Sequence, residues 1–386
     1  VTAAVLGGNL IISGTAEGDV AVIGSATAGE FTVTEDGNEV GKLSGVSKDI
    51  RISLASNAVG NNVEIDLGAQ SVYRVRVNFA DGDNTLSLSN GTTRGGVYVR
   101  SGDGDDTVVL NADLDVAGDV DLRLGDGVNA VELAGHVGRN VKVIGGEGDD
   151  TLTLTETAQI DRGLSAWLGN GDNTVTVQGA IGRDVFIHLG DGDDLVDIGV
   201  DAVLGRSLTT NLGSGDNTVN VAGAIAKHMS INALDGNDTI AFSEDSDISG
   251  SAKIILGDGD NAAQFDGTVG GNLKVTSKNI DDVFTIGETG FVTGNESLTP
   301  GEQEGLRRGH GGRWGFAWPR LSFDFQTSLN APSIDKLRTL AYNSANSVLG
   351  KIVDLQAVSP YDTGTESTGG CRFGQGIVSI KPAKAR

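Results

Sequence analysis

Between residues 70 and 290 apolar side chains recur at every second position in short runs, separated by turns of glycine, aspartate and asparagine. Val141 and Val143 form one run, Leu152 and Leu154 the next, then Val175 and Val177, and later Val219 and Val221. Their β-branched content and period of two predict strands rather than helices. The turns are equally regular. Aligning DGDNT, DGDDT, DGVNA, EGDDT, NGDNT, DGDDL, SGDNT, DGNDT, DGDNA and NIDDV places their second residue at Gly82, Gly104, Gly127, Gly148, Gly171, Gly192, Gly215, Gly236, Gly259 and Ile280. The steps are 22, 23, 21, 23, 21, 23, 21, 23 and 21, a period of 22 with a superperiod of 44.

Two positions after each marker stand Asn84, Asp106, Asn129, Asp150, Asn173, Asp194, Asn217, Asp238, Asn261 and Asp282, alternating without exception. A second turn falls halfway round, led by Val116, Val137, Ile160, Ile181, Leu204, Ile225, Ile248 and Val269. From it to the next marker is always 11 residues, but from marker to turn is 12 after an Asp loop and 10 after an Asn loop. The variation is thereby assigned to one strand and its exit, where two extra residues leave the inward and outward faces unchanged.

Two strands and two turns in 22 residues predict one coil of a parallel β-solenoid, an all-β fold in which stacking supplies the core. Weaker coils are expected at Gly60-Asn61-Asn62 and Asp36-Gly37-Asn38. About a dozen coils at ~4.8 Å each would make a rod of about 60 Å. A 44-residue coil stacking Asn on Asn and Asp on Asp fits the same spacing; the shorter coil is preferred.

Composition agrees with a thin core. Glycine accounts for 59 of 386 residues, aromatics for 5 %, and methionine occurs once, so any interior is built of Val, Ile, Leu and Ala. A hydrophobic fraction of 38 % is too high for a disordered acidic chain. One cysteine, Cys371, excludes a disulfide framework and a cysteine-based zinc site. No apolar run reaches the length of a membrane-spanning helix. The start at Val1 fits a processed mature chain or a truncated reading frame, and leaves open whether a signal peptide precedes it.

Charge divides the chain. Residues 1–299 hold 17 Lys+Arg against 45 Asp+Glu, a net of -28, whereas 300–386 hold 11 against 7, a net of +4. All five prolines, Cys371, Trp314 and Trp318 lie in the second part. We therefore expect a repeat domain over 1–299, with its clear coils at about 70–290, and a non-repeat tail over 300–386. Ser333, Asp335 and the stripe Ile334, Leu337, Leu340, Ala341, Val348 and Leu349 predict one amphipathic helix ending at Gly350. Trp314, Phe316, Trp318, Leu321, Phe323 and Phe325 would cap the solenoid or form a binding patch; a disordered or frame-shifted tail is the other reading.

An acidic repeat domain repels nucleic acid and anionic membranes and attracts multivalent cations. Stacked loops would align Asp105, Asp149 and Asp193 beside Asp106, Asp150, Asp194 and Asp238 and beside Asn84, Asn173, Asn217 and Asn261. These hard oxygen donors, without His or Cys, suit calcium. Gly145-Gly146-Glu147-Gly148-Asp149-Asp150-Thr151-Leu152-Thr153 fits GGxGxDxUx at every position, and Ser101 to Val109, Leu189 to Asp197 and Ala233 to Ala241 are near matches. The chain thus resembles the RTX-type (haemolysin-type) calcium-binding repeat proteins, in divergent form. The resemblance implies a secreted bacterial β-roll at the cell surface or outside the cell, with calcium held by Asp106, Asp150, Asp194 and Asp238 and by loop carbonyls. The nonapeptide occurs once per 22 residues instead of in tandem, and every second loop carries Asn, an uncharged ligand. The opposing reading is a metal-free stack of hydrated turns.

His136, His188, His228 and His310 lie in unlike contexts, and no catalytic fingerprint stands in the repeat. The expected function is therefore a calcium-associated structural or adhesive solenoid and not an enzyme, with calcium ions and cell-surface or polysaccharide ligands as partners. The alternatives are a β-helix that binds or modifies polysaccharide, for which a non-repeating cleft of basic and acidic groups would speak, and a metal-free structural solenoid.

Overall fold

The computed structural model describes residues 1–14, 18–56, 60–279 and 281–299, and the backbone of 354–357, 370–373 and 376–381. The chain divides into two units, Val1–Arg307 and Arg308–Arg386. In the second, Asp354–Ala357, Gly370–Phe373 and Gly376–Lys381 pair as a small antiparallel sheet. The predicted helix at 333–350 and the aromatic run at 314–325 fall outside the described residues.

The first unit is a parallel β-solenoid, and its coil is 22 residues long. Strand Leu164–Gly169 pairs with Val141–Ile144 before it and Val185–Leu189 after it, always in parallel register one coil away. Each coil has three strands, one more than expected. A typical coil runs Thr107–Leu110, Asp115–Val116, Val120–Arg123, and the three series stack into sheets of 14, 11 and 14 strands. We call the sheet containing Val120–Arg123 sheet 1, that containing Thr107–Leu110 sheet 2 and that containing Asp115–Val116 sheet 3.

Sheet 3 is the additional strand series. The position that reads as a second turn is a two-residue strand whose second member, such as Val116, Val137 or Ile160, points inward. The two extra residues of alternate coils lie in the corner before this strand, not in the strand itself. After an Asp loop the corner closes a turn, as in Leu114 N–H to Asn111 O at 3.1 Å and Ala158 N–H to Thr155 O at 3.0 Å. After an Asn loop it is cut short to a pair such as Ala134-Gly135.

The interior is the predicted thin one. Sheets 1 and 2 each contribute two inward side chains per coil and sheet 3 one, for example Val141, Val143, Leu152, Leu154 and Ile160, none more than 1 % exposed. Aromatics enter rarely, Phe242 stacking on Phe265 at 4.6 Å. At the N-terminal end the stack stops being parallel. Thr2–Leu6 pairs antiparallel with Asn9–Gly14, and Val20–Gly24, Phe31–Glu35 and Asn38–Leu43 form an antiparallel meander that terminates sheet 2. Asp36-Gly37, expected to lead a weak coil, is instead a hairpin turn with φ of 49° and 72°. The parallel stack thus ends in antiparallel strands, with Thr2–Leu6 and Asn38–Leu43 as the outermost of sheets 1 and 2.

Candidate functional site

Corners interrupt the β-ladder, so their backbone amides need other acceptors. The repeated loop provides them from side chains. Its glycine has positive φ, 131° at Gly148, and a Cβ there would lie 2.3 Å from Gly127 O in the coil below. Only glycine lets successive loops stack this closely, which fixes the 22-residue recurrence.

The residue two places on turns into the interior. In sequence order, the amides of Asn61, Asn84, Asp106, Asn129, Asp150, Asn173, Asp194, Asn217, Asp238 and Asn261 each donate to Oδ1 of the corresponding residue one coil later, ending at Asp282, over 2.8 to 3.3 Å. Asn84, Asp106, Asp150, Asn173, Asp194, Asn217, Asp238 and Asn261 are all at most 2 % exposed. The ladder also takes in Asn61 and Asn129, which the sequence pattern does not single out as ligands, and it places Gly60-Asn61-Asn62 in a true coil.

The residue one place earlier faces water and forms a second ladder in the opposite sense. Asp105 Oδ1 accepts from Val128 N–H at 2.7 Å, Asp149 Oδ1 from Asp172 N–H at 2.8 Å and Asp193 Oδ1 from Asp216 N–H at 2.7 Å, each donor lying one coil later. Val128 has no acceptor in its side chain and breaks the series once. The candidate ligands therefore separate: Asp106, Asp150, Asp194 and Asp238 lie inside the wall, while Asp105, Asp149 and Asp193 lie outside it. Among the described residues no three His, Cys, Asp or Glu side chains converge as a metal-binding group.

Asn and Asp differ in their second atom. Asn129 Nδ2 donates to Gly125 O and Gly127 O, both at 3.2 Å, and Asn173 Nδ2 to Gly169 O at 3.1 Å and Gly171 O at 2.9 Å. Gly125 and Gly169 have φ of 85° and 84°, which turns their carbonyls toward this donor. Oδ2 of Asp106, Asp150, Asp194 and Asp238 is buried and has no hydrogen-bond partner. Burial pushes these carboxyls up, Asp150 and Asp238 to about 6 and Asp194 to about 7, against the opposing pull of the Asn donors; Asp106 is raised for the same reason. Alternation keeps buried carboxyls two coils, about 9.6 Å, apart, halving the repulsion that neighbouring coils would impose.

The histidines remain singular. His188 is an outward strand residue of sheet 1 with its ring 4.8 Å from that of Trp167. His136 bridges Asp115 at 2.7 Å and Asp161 at 3.3 Å on sheet 3, and hydrogen bonding to Asp115 raises its pKa.

Comparison with protein-family models, with curated proteins and with solved structures finds no significant match to this chain in any of the three.

Proposed function

We propose that the solenoid is a structural and adhesive rod displayed at the bacterial cell surface or outside the cell, with calcium associated along its loop edge. The observation that carries the rod reading is the unbroken ladder from Asn61 to Asp282, buried as far as Asn261, which bonds every loop to the next and makes length the product of the repeat. Extracellular placement and calcium rest on the RTX-like nonapeptide and on the exposed acids of the second ladder, whose Oδ1 atoms are held by backbone amides. Asp149, Asp172 and Asp193 in successive coils would supply carboxylate oxygens to a cation that keeps much of its water.

The metal-free solenoid is the competing reading, and one observation favours it. Oδ1 of each buried aspartate already accepts a backbone amide, so the stack closes without a cation. Thermal unfolding of the full chain in calcium and in chelator separates the two. Calcium that binds only the folded state raises Tm. Equal melting temperatures at millimolar calcium would sink the calcium reading and leave the rod.

A further inference from the structure

Outward positions of a solenoid do not build its core, so their chemistry is free to serve something else. On sheet 2 they are mostly small or polar: Thr151 and Thr153, Thr174 and Thr176, Thr218 and Asn220. On sheet 1 they are not. Seven successive coils present, in register, Arg51; Arg76 and Asn78; Tyr98 and Arg100; Asp121 and Arg123; Lys142 and Ile144; Ser165 and Trp167; Phe186 and His188. At ~4.8 Å per coil this track is about 29 Å long. The outward strand positions of sheet 2 between Asn62 and Ile286 carry no arginine, lysine or aromatic residue.

The track is built as well as charged. Arg76 lies over the Tyr98 ring at 5.7 Å, and the two line a hollow of about 260 Å³ with Asn78, Arg100 and Asp121. On the other side of Tyr98 a hollow of about 150 Å³ takes in Arg74, Arg94, Asp119 and Arg139. Further along, Trp167 and Phe186 are 47 % and 49 % exposed, an expense of apolar surface that the fold does not require. In a repeat domain of net charge -28, such a concentration of guanidinium groups on one face selects an anionic partner.

We propose that this face of sheet 1 binds an acidic polysaccharide of the uronate class along the rod axis. Guanidinium forks take carboxylates in bidentate fashion. Trp167, Phe186 and Tyr98 offer flat apolar surfaces to pyranose rings, and the pitch of the coils approaches the length of one sugar residue. Asp119 and Asp121, interleaved with the arginines, accept from sugar hydroxyls, and Asp121 also pairs with Arg123 at 3.0 Å. The domain's overall charge opposes every polyanion away from this face, so binding is confined to the track, and the sugar hydroxyls that Asp119 and Asp121 accept from set a polyuronate apart from a nucleic acid. The inference extends the adhesive part of the proposed function by naming its partner class, and it rests on the rod only for the alignment of the coils.

The test is affinity electrophoresis of the full chain, in chelator at low ionic strength, through gels containing polygalacturonate, neutral dextran or single-stranded DNA. Polygalacturonate should retard the protein in a salt-sensitive way, and dextran should not. The double variant R76Q/R100Q should weaken binding by about tenfold or more, as loss of bidentate contacts does, and W167A by about fivefold. T174A/T176A on sheet 2 should leave binding unchanged. No retardation of the wild type by polygalacturonate, equal retardation by DNA, or undiminished binding in R76Q/R100Q and W167A would overturn the proposal. Melting temperatures of the same variants, which should fall by a few degrees at most although Arg76 lies 3.9 Å from the buried Asp49 and Trp167 packs on His188, keep a failure here distinct from a failure of the rod reading.

Discussion

Raising the pH from 5 to 8 should destabilise the rod, through the aspartates buried in its wall. The carboxyls of Asp150 and Asp238 are pushed up to about 6 and that of Asp194 to about 7, from an ordinary 3.8. The folded chain therefore holds these protons at pH values where the unfolded chain has released them, and stability falls with pH. Their contribution is complete below about pH 4, is lost as pH climbs through 6 to 7, and levels off near 8. Each tenfold gain in proton affinity on folding is worth about 1.4 kcal/mol, so Asp150 and Asp238 contribute about 3 kcal/mol apiece and Asp194 about 4. Together they amount to about 10 kcal/mol over the whole titration, of which about half, ~5 kcal/mol, is lost between pH 5 and 8, the rest having gone between pH 4 and 5. For roughly 300 ordered residues the loss between pH 5 and 8 corresponds to a fall in Tm of about 8 °C. The assay is a series of thermal melts of the full chain between about pH 4.5 and 8.5, at constant ionic strength and in chelator, with Asp194→Asn alongside. The variant should lose about half of the pH dependence over this range, since Asn cannot titrate. A Tm that is flat or rises between pH 5 and 7.5, or a variant with the full wild-type slope, would show that these carboxyls are ionised in the fold at no cost.

Two substitutions probe the ladder and the loop separately. Asn173→Ala removes the acceptor of the buried Asp150 amide and the donor to Gly169 O and Gly171 O, and should cost about 1–3 kcal/mol by denaturant unfolding; a loss below about 0.5 kcal/mol would mean that water replaces the side chain. Gly148→Ala places a Cβ against Gly127 O at a φ of 131° and should cost about 1–3 kcal/mol in backbone strain alone, with wild-type stability counting against close loop stacking as the reason for the glycine.

The solenoid is legible in the sequence because its determinants are local and repeated. Glycine every 22 residues marks a corner where backbones touch, and alternating Val, Ile and Leu mark the strands between. Sheet 3 is not legible, since a two-residue strand with one inward side chain has no alternation to show. Asp36-Gly37-Asn38 imitates the loop signature, although Asp-Gly between β-formers is equally a hairpin signal, and the hairpin is what forms. Asn129 does not stand out as a ligand because Val128 disrupts the acidic column beside it, yet the buried ladder runs through Asn129 undisturbed.

The separation of the candidate ligands into two environments is present in the sequence as parity. Leu152 points inward, so two residues back along an extended chain Asp150 points inward as well, and Asp149, one place before it, must face water. The same step divides Asp105 from Asp106 and Asp193 from Asp194. Composition treats each such pair as two equivalent carboxylates, whereas the fold gives them opposite work: the inner one carries hydrogen bonding and proton affinity, the outer one the charge that meets the solvent. Parity also sorts the outward residues by sheet, and there the repeat ceases to be uniform. Arg76, Arg100, Arg123, Trp167 and Phe186 are far apart along the chain, and only the stacking of coils brings them into one line. A repeat that holds its interior constant can thus vary one face without disturbing the inward side chains that build its core.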